Sequence, residues 1–148
     1  RYMVASVPWP YPENGAENYV NNVALPDMAK GIAWFWTIRR REAPDELMGL
    51  ICLYDVEDNN RGFWLAPEFQ GQGYMREASI AATDYWFNTL NKPVLRAPKA
   101  AANSRSRRIS DSSGMRLIRT EKKAYVSGLL DSELWEITRD EWNARQVS

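Results

Sequence analysis

A glycine-containing loop between a strand pattern and a helix pattern constrains the fold of this sequence most. The apolar run of residues 61–66 is stopped by Pro67, and the loop that follows carries Gly71 and Gly73. Apolar residues then recur at helical spacing over residues 75–90. A helix N-terminus presents unpaired amides and the positive end of a dipole, and glycines let an anion approach the backbone. The segment therefore predicts either an ordinary turn or a cradle for a phosphate group.

Two common phosphate-binding motifs are excluded at this loop. No Gly-Lys-Ser or Gly-Lys-Thr follows the glycines, so the loop is not a Walker loop. A dinucleotide fingerprint is excluded because a strand meander precedes the loop and no acidic residue closes a second parallel strand at the expected place. The choice between a turn and a cradle therefore depends on the rest of the chain.

The order of apolar patterns predicts an α+β fold with a mixed sheet flanked by helices. Prolines at positions 8, 10 and 12 predict a stiff loop, and a modest amphipathic helix is expected over residues 13–28, ended by Pro26. Three meandering strands are expected at residues 31–40, 47–56 and 61–66. The helix at 75–90 precedes a short strand at 94–97, a helix at 104–113 that Gly114 stops, paired strands at 115–126 and 129–138, and a tail at 139–146.

Composition narrows the possible chemistry and partners. The 148 residues suit one domain, and seven tryptophans predict a core rich in large rings rather than an aromatic ligand cage. The absence of histidine and the single cysteine exclude His-dependent triads, an internal disulfide and multi-cysteine metal sites. Nineteen basic and nineteen acidic residues cancel, so we expect neither nucleic acid nor a membrane as a partner.

The hydropathy and the first residue of the chain bear on its location. No apolar run approaches the roughly 20 residues of a membrane-spanning helix, and no signal peptide is visible. A single cysteine is compatible with a reducing cytoplasm, which is the location we expect. The chain begins at Arg1 rather than at a methionine, and we expect that residues before it are missing from this sequence.

Two segments resemble motifs of the GNAT N-acetyltransferase superfamily. Residues 70–75, Gln-Gly-Gln-Gly-Tyr-Met, resemble its acetyl-coenzyme A signature Gln/Arg-x-x-Gly-x-Gly/Ala, although Met75 stands where a small residue is expected. The longer form, with Trp-Leu before the proline and Gly-Tyr-Met-Arg-Glu-Ala after it, resembles the ribosomal-protein N-acetyltransferase branch. Downstream, Asn103-Ser104-Arg105-Ser106 followed by Gly114-Met115 resembles the family's Asn-x-x-Ser and Gly-Phe.

The resemblance implies a fold and a cofactor. It covers residues 9–142 and implies one acetyltransferase domain over residues 1–148, whose first strand and the start of whose first helix are missing. It implies a mostly antiparallel sheet that splays open beside a bulged strand, and acetyl-coenzyme A as the cofactor. The cofactor arm is expected along Phe63, Trp64, Leu65 and Ala66, and the pyrophosphate on the backbone of Gly71, Gln72, Gly73, Tyr74 and Met75, in a loop that Gln70 orders.

The resemblance also implies roles for polar residues near the reacting atoms. Asn103 is expected either to bond the pantetheine or the splayed strand, or to cap a helix. Ser106 is expected near the sulfur, where it protonates the departing thiolate; the alternative is a solvated or helix-bonded hydroxyl. Tyr125 is a candidate for the acid–base chemistry, with a core position in a strand as its alternative. No metal is implied.

Two functions remain open at this point. The first is transfer of an acetyl group from acetyl-coenzyme A to a primary amine by direct attack, on a protein N-terminus or a small-molecule amine, by a possible homodimer. Positioning of the reactants supplies much of such an acceleration, so an obvious base is not required. The second is a non-catalytic module that binds or senses acyl-coenzyme A on the same fold.

Overall fold

The helices and strands follow the predicted order, with several shifted ends. The computed structural model describes residues 13–147, and the predicted loop at residues 8–12 lies outside them. In chain order the elements are α1 (Gly15–Tyr19), a π-helical turn (Val20–Ala24), α2 (Leu25–Lys30), β1 (Ala33–Ile38), β2 (Gly49–Tyr54), β3 (Arg61–Leu65), a 3-10 turn (Pro67–Phe69), α3 (Tyr74–Asp84) with a π-helical turn (Tyr85–Thr89), β4 (Val94–Ala100), α4 (Ser104–Ser112), β5 (Arg116–Tyr125), β6 (Gly128–Thr138) and α5 (Arg139–Val147).

The strands form two antiparallel three-stranded sheets, in the orders β1-β2-β3 and β4-β6-β5. At the start of β3, the Asn60 amide donates to the Arg96 carbonyl and the Asn60 side-chain oxygen accepts from the Arg96 amide, both at 2.8 Å. Beyond this link no ladder joins β3 to β4 within residues 13–147. The helix α3 connects these two strands, as crossovers connect parallel neighbours. We call the unpaired space between them the β3–β4 gap.

Large rings fill the core, as the tryptophan content predicts. Trp86, Phe87 and Trp142 are fully buried. The edge of Trp34 on β1 meets the ring of Trp86 at 6.3 Å between centroids, which joins the first sheet to the helix layer. The expected α+β fold with antiparallel strands flanked by helices is confirmed, and the β3–β4 gap is the splayed groove.

The prediction that Pro26 ends the first helix is wrong. The helix continues through Pro26 to Lys30 and ends at Gly31, which adopts a left-handed φ of 70°. Just before the proline, the Leu25 amide donates to the carbonyl of Val20, five residues back, as in a π turn. The wider turn relieves the clash that a proline ring makes with a regular helical turn, and Pro26 then begins a new α-helical segment.

The predicted end of β4 and the predicted bulge in β3 are also wrong. The strand β4 runs through Pro98 to Ala100, because among the described strands β4 pairs only with β6 and an edge strand tolerates proline. The register between β2 and β3 is continuous over five residue pairs. The irregularity lies instead in β5, between Leu117 and Arg119.

Candidate cofactor and active site

The loop after β3 presents open backbone at the start of α3. Gly71 and Gly73 have positive φ values of 76° and 87°, which glycine adopts without strain. Apart from its chain neighbours, a Cβ added to either would meet no atom of the described residues within 4 Å, so the space above both glycines is open. Gly73 is the N-cap of α3, and no side chain caps this helix. The loop therefore has the free surface and the unstrained backbone that a bound phosphate needs.

The first amides of α3 are available to a ligand. The Glu77 amide is bonded to the Gly73 carbonyl, so the intrahelical bonds begin there. The amides of Tyr74, Met75 and Arg76 precede that bond and have no partner within the helix. Together with the helix dipole they form an anion-binding terminus. The Met75 side chain is buried in the core, so only its backbone faces the loop.

Gln70 fixes the loop to the strand. Its side-chain nitrogen donates to the Leu65 carbonyl at 2.8 Å. This hydrogen bond is a specific contact by which Gln70 can order the loop, as expected. Gln72 donates to the Glu68 carbonyl at 2.9 Å, which closes the loop on itself without reaching the strand.

The strand β3 offers a free edge to the β3–β4 gap. Its side chains alternate, because Phe63 packs against the core and Leu65 is buried in it, while Trp64 is 55% exposed on the opposite face. Ala66 is buried, and its amide donates to the Met48 carbonyl at 2.9 Å. The backbone on the gap side is free to pair with an extended chain, whereas the four side chains do not share one face.

The helix α4 carries Asn103 and Ser106 at its start. The Asn103 side-chain oxygen accepts from the Ser106 amide at 3.3 Å, which is an N-cap bond. The capping alternative for Asn103 is therefore confirmed. Ser106, Ser110 and Ser113 are buried along the inner side of the helix. The structure thus places Ser106 at a largely buried position on α4.

Tyr125 lies apart from the residues of the loop. It is buried at the end of β5, where its hydroxyl donates to the Ser132 hydroxyl at 3.1 Å. Ser132 in turn donates to the Lys99 carbonyl at 3.3 Å on β4. The core position named as the alternative for Tyr125 is what the structure shows, and no hydrogen bond between residues 13 and 147 joins it to Ser106.

The structure contains a cavity and two buried cations that were not predicted from the sequence. A cavity of about 460 Å³ lies between β1 and the first turns of α3, with Trp36, Tyr74, Glu77 and Tyr85 in its wall. Arg61 and Lys99 are buried cations on the two strands that border the β3–β4 gap. A signal for Arg61 existed, since a charged residue at an inward strand position is rare.

Cys52 is a structural thiol. Its sulfur donates to the Gly62 carbonyl at 3.3 Å and lies 2.8 Å from the Tyr54 hydroxyl oxygen. Burial raises the pKa of the Cys52 thiol, which keeps it protonated and weakly nucleophilic. The described residues hold no cluster of acidic, histidine or cysteine side chains suited to a metal ion, and none of the helices between residues 13 and 147 is both long and apolar enough to cross a bilayer.

One protein-family model matches most of this sequence. The model of the acetyltransferase (GNAT) domain matches residues 1–116. The chain belongs to the GNAT acetyltransferase family. The acyl donor of GNAT enzymes is acetyl-coenzyme A, and the open α3 terminus and the β3–β4 gap have the features that its pyrophosphate and its extended arm require.

One curated protein is similar in sequence to this GNAT domain. It is 28% identical over 109 residues to the "Putative ribosomal N-acetyltransferase YdaF" of Bacillus subtilis, a match that covers 68% of this chain and 58% of that protein. The chain thus spans less than two thirds of that curated relative.

Solved structures share the GNAT fold. A spermidine N-acetyltransferase variant from Vibrio cholerae superposes with a TM-score of 0.76 at 18% identity, over 89% of this chain and 80% of that one. The ribosomal α-N-protein acetyltransferase RimL, in complex with coenzyme A, superposes with a TM-score of 0.74 at 18% identity, over 87% and 73%. At these identities the similarity shows the fold alone.

Proposed function

We propose that this protein transfers the acetyl group of acetyl-coenzyme A to a primary amine. The observation that carries the proposal is the position of the uncapped α3 terminus, with its two positive-φ glycines, at the mouth of the β3–β4 gap. A diphosphate on the helix amides and an extended arm in the gap are two parts of the same ligand. The family match supports this assignment.

The cofactor contacts follow from the backbone geometry. The backbone of residues 71–75, with the free amides of Tyr74 and Met75, holds the pyrophosphate, and the glycines at 71 and 73 leave room for it. The free edge of residues 63–66 pairs with the amide groups of the pantetheine arm. Asn103 already uses its side-chain oxygen as a cap, so its amide nitrogen is the group left to donate to the arm.

We assign the proton transfers of this reaction to side chains of the protein. The bound thioester supplies an activated acyl group, and the amine must approach it in neutral form. We propose Ser106 as the hydroxyl at the sulfur and Tyr125 as a second proton-transferring hydroxyl, linked to β4 through Ser132. The absence of histidine leaves these hydroxyls, carboxylates and water for the task.

The acceptor is proposed as a class rather than as one compound. The similar proteins are named for ribosomal proteins and for spermidine, both of which offer primary or N-terminal amines. We therefore propose a protein N-terminus or a small-molecule amine as acceptor. A homodimer and a cytoplasmic location stay predictions, the first of which sedimentation analysis tests.

A set of matched glycine variants tests the cofactor site. Gly71→Ala and Gly73→Ala place a methyl group in the cradle, whereas Gly31→Ala adds one to an equally open, positive-φ glycine at the end of α2. Each variant strains the backbone by about 1–2 kcal/mol, so all three should melt at lower temperature than the parent. We expect coenzyme A to raise the melting temperature of the parent and of Gly31→Ala, and not that of the loop variants.

Two results would overturn parts of this proposal. If coenzyme A leaves the melting temperature of the parent unchanged, or stabilises all three variants equally, the cofactor site is wrong. Release of thiol from acetyl-coenzyme A with a panel of amines then tests turnover. Binding without thiol release for any amine would favour the non-catalytic acyl-coenzyme A module.

A further inference from the structure

Two buried cations face the protein interior on the strands that border the β3–β4 gap. Arg61 begins β3 and is 3% exposed, and Lys99 lies near the end of β4 and is 5% exposed. Arginine and lysine are almost never buried unless they are paired with a carboxylate. Their partners therefore decide whether this site is merely structural.

Arg61 has no acidic partner among residues 13–147. Its guanidinium donates to the Thr83 hydroxyl at 2.9 Å and to the Met115 sulfur at 3.5 Å. Its Nε is buried with no partner, and within the described chain no carboxylate lies at salt-bridge distance. Burial lowers the pKa of Arg61 to about 10, so the group is still a cation at neutral pH. A charge without a counter-charge is thus held in the interior.

Lys99 donates to a hydroxyl group, and the carboxylate opposite it in the sheet already pairs with another cation. Its ammonium nitrogen donates to the Ser110 hydroxyl of α4 and lies 5.8 Å from the centre of the Trp135 ring. Glu133 stands opposite Lys99 in the β4–β6 register. The Glu133 carboxylate pairs with Arg107 at 2.9 Å and accepts from the Trp135 indole at 3.1 Å.

The balance of charge around Lys99 is therefore positive. Burial, followed by the charge of Arg61, lowers the pKa of Lys99 to about 7, and Glu133 acts in the opposite direction. Two cations, Arg61 and Lys99, are therefore buried in this part of the described core, and the Glu133 carboxylate near Lys99 is already paired with the exposed Arg107. Preorganised positive charge in a dry interior stabilises negative charge that develops during a reaction.

The inner side of α4 connects this cluster to the proposed sulfur position. Ser106 and Ser110 are four residues apart on one helix, so their side chains lie one turn apart on the same side. Both are buried. We propose that the Lys99 ammonium, held by Ser110, is the counter-charge of the coenzyme A sulfur when it leaves as a thiolate. The proposal rests on the function proposed above.

The proposed acetyl transfer forms one bond and breaks one. The neutral amine nitrogen forms a bond to the acyl carbon, the carbon–sulfur bond breaks, and its electron pair leaves with the sulfur. The amine's excess proton passes to solvent by way of the proton-transferring hydroxyls proposed above, and the thiolate later takes up a proton by the same route to give free coenzyme A. In this scheme Lys99 forms no covalent bond and acts on the leaving sulfur through its charge.

A sulfur-specific binding measurement tests the proposal without turnover. Coenzyme A and desulfo-coenzyme A carry the same phosphates and differ at the sulfur. We expect the parent to bind coenzyme A roughly tenfold more tightly than the desulfo form, and to show the ultraviolet absorbance of a thiolate at neutral pH. Lys99→Met should remove both effects and leave the affinity for desulfo-coenzyme A unchanged, whereas the exposed control Lys122→Met should behave as the parent.

The outcomes separate this proposal from the proposed function. If the parent binds neither ligand, the cofactor site itself is wrong. If it binds both equally and shows no thiolate, the role of Lys99 is wrong while the cofactor site stands. Ser110→Ala keeps the lysine and provides a second variant should Lys99→Met not fold. A thiolate signal unchanged in both variants would also overturn the proposal.

Discussion

The side-chain amide of Gln70 donates a hydrogen bond to the Leu65 carbonyl, which ties the loop before α3 to the last residue of β3. One side chain therefore links the two halves of the proposed cofactor site, the helix terminus and the strand edge. Gln72 makes a bond of the same type two residues later, but only to Glu68 within the loop. Gln72 is therefore a matched control for the substitution of Gln70.

Replacement of Gln70 by alanine should weaken coenzyme A binding more than it weakens the fold. The variant loses one hydrogen bond, which contributes about 1 kcal/mol, and frees the loop from the strand. We expect an increase in Kd of about tenfold by calorimetry, with a small drop in melting temperature. Gln72→Ala should leave Kd within about threefold of the parent. Equal effects of the two variants would show that the link to Leu65 does not position the loop.

Replacement of Lys99 by methionine should stabilise the protein near neutral pH. In the folded protein the pKa of Lys99 is lowered to about 7, whereas an unfolded lysine titrates near ~10.4. Between these values the unfolded chain binds more protons, so the stability of the parent should rise with pH across this window. Lys99→Met should be more stable than the parent at pH ~7 and lose that pH dependence, because methionine buries no charge.

Denaturant unfolding at several pH values measures this effect. The matched control is Lys122→Met, whose ammonium is exposed and pairs with Asp131 on the surface. That variant should keep the pH dependence of the parent. A parent whose free energy of unfolding is flat between pH ~7 and ~10 would show that Lys99 keeps an ordinary pKa.

Replacement of Gly49 by alanine should disturb the edge of the cofactor groove. A Cβ at Gly49 would lie 2.3 Å from the Trp64 backbone oxygen and 3.0 Å from the Leu65 Cα, so β3 would have to move. Overpacking of this kind costs about 1–3 kcal/mol. We expect lower stability by denaturant unfolding and weaker coenzyme A binding.

Gly62→Ala is the control for that variant on the same pair of strands. Its added Cβ would lie 3.3 Å from the Cys52 sulfur, a side-chain atom that can adjust. The destabilisation should therefore be the smaller of the two. If Gly62→Ala proved as harmful as Gly49→Ala, the close approach of β2 and β3 at Gly49 would not be the cause.

Tyr125→Phe distinguishes a catalytic hydroxyl from a structural one. The variant and its partner Ser132→Ala both remove the Tyr125–Ser132 hydrogen bond, and each should lower the free energy of unfolding by about 1 kcal/mol. We expect kcat to fall at least tenfold in Tyr125→Phe and to change little in Ser132→Ala, which keeps the phenol. Equal values of kcat in the two variants would assign Tyr125 a structural role only.

Local sequence patterns were sufficient to predict the order of the helices and strands and the glycine-containing loop before α3. The hairpin of β1 and β2, the helix after the glycines, and the turn at Gly128 each depend on neighbouring residues, and each was predicted within a few positions. The GNAT resemblance likewise depended on short motifs. The N-cap role of Asn103 could be predicted because capping depends only on the cap residue and the first helical turn after it.

The errors arose where distant contacts decide the outcome. The helix passes Pro26 through a π turn, which periodicity does not reveal. The strand β4 continues past Ala97 because its gap-facing side is unpaired, a property of the sheet rather than of Pro98. The buried state of Lys99 depends on α4 and β6 closing over it, so no window of sequence around the lysine shows it.

The link between Asn60 and Arg96 has a consequence for cooperativity. Asn60 also donates to the Tyr54 and Val56 carbonyls, so one residue anchors the second strand of the first sheet to the first strand of the other. With the ladders otherwise separate in the described chain, the two sheets have a route to open independently. A ligand arm that bonds both facing edges would merge them into one unit, and amide hydrogen exchange in β3 and β4 would then slow together.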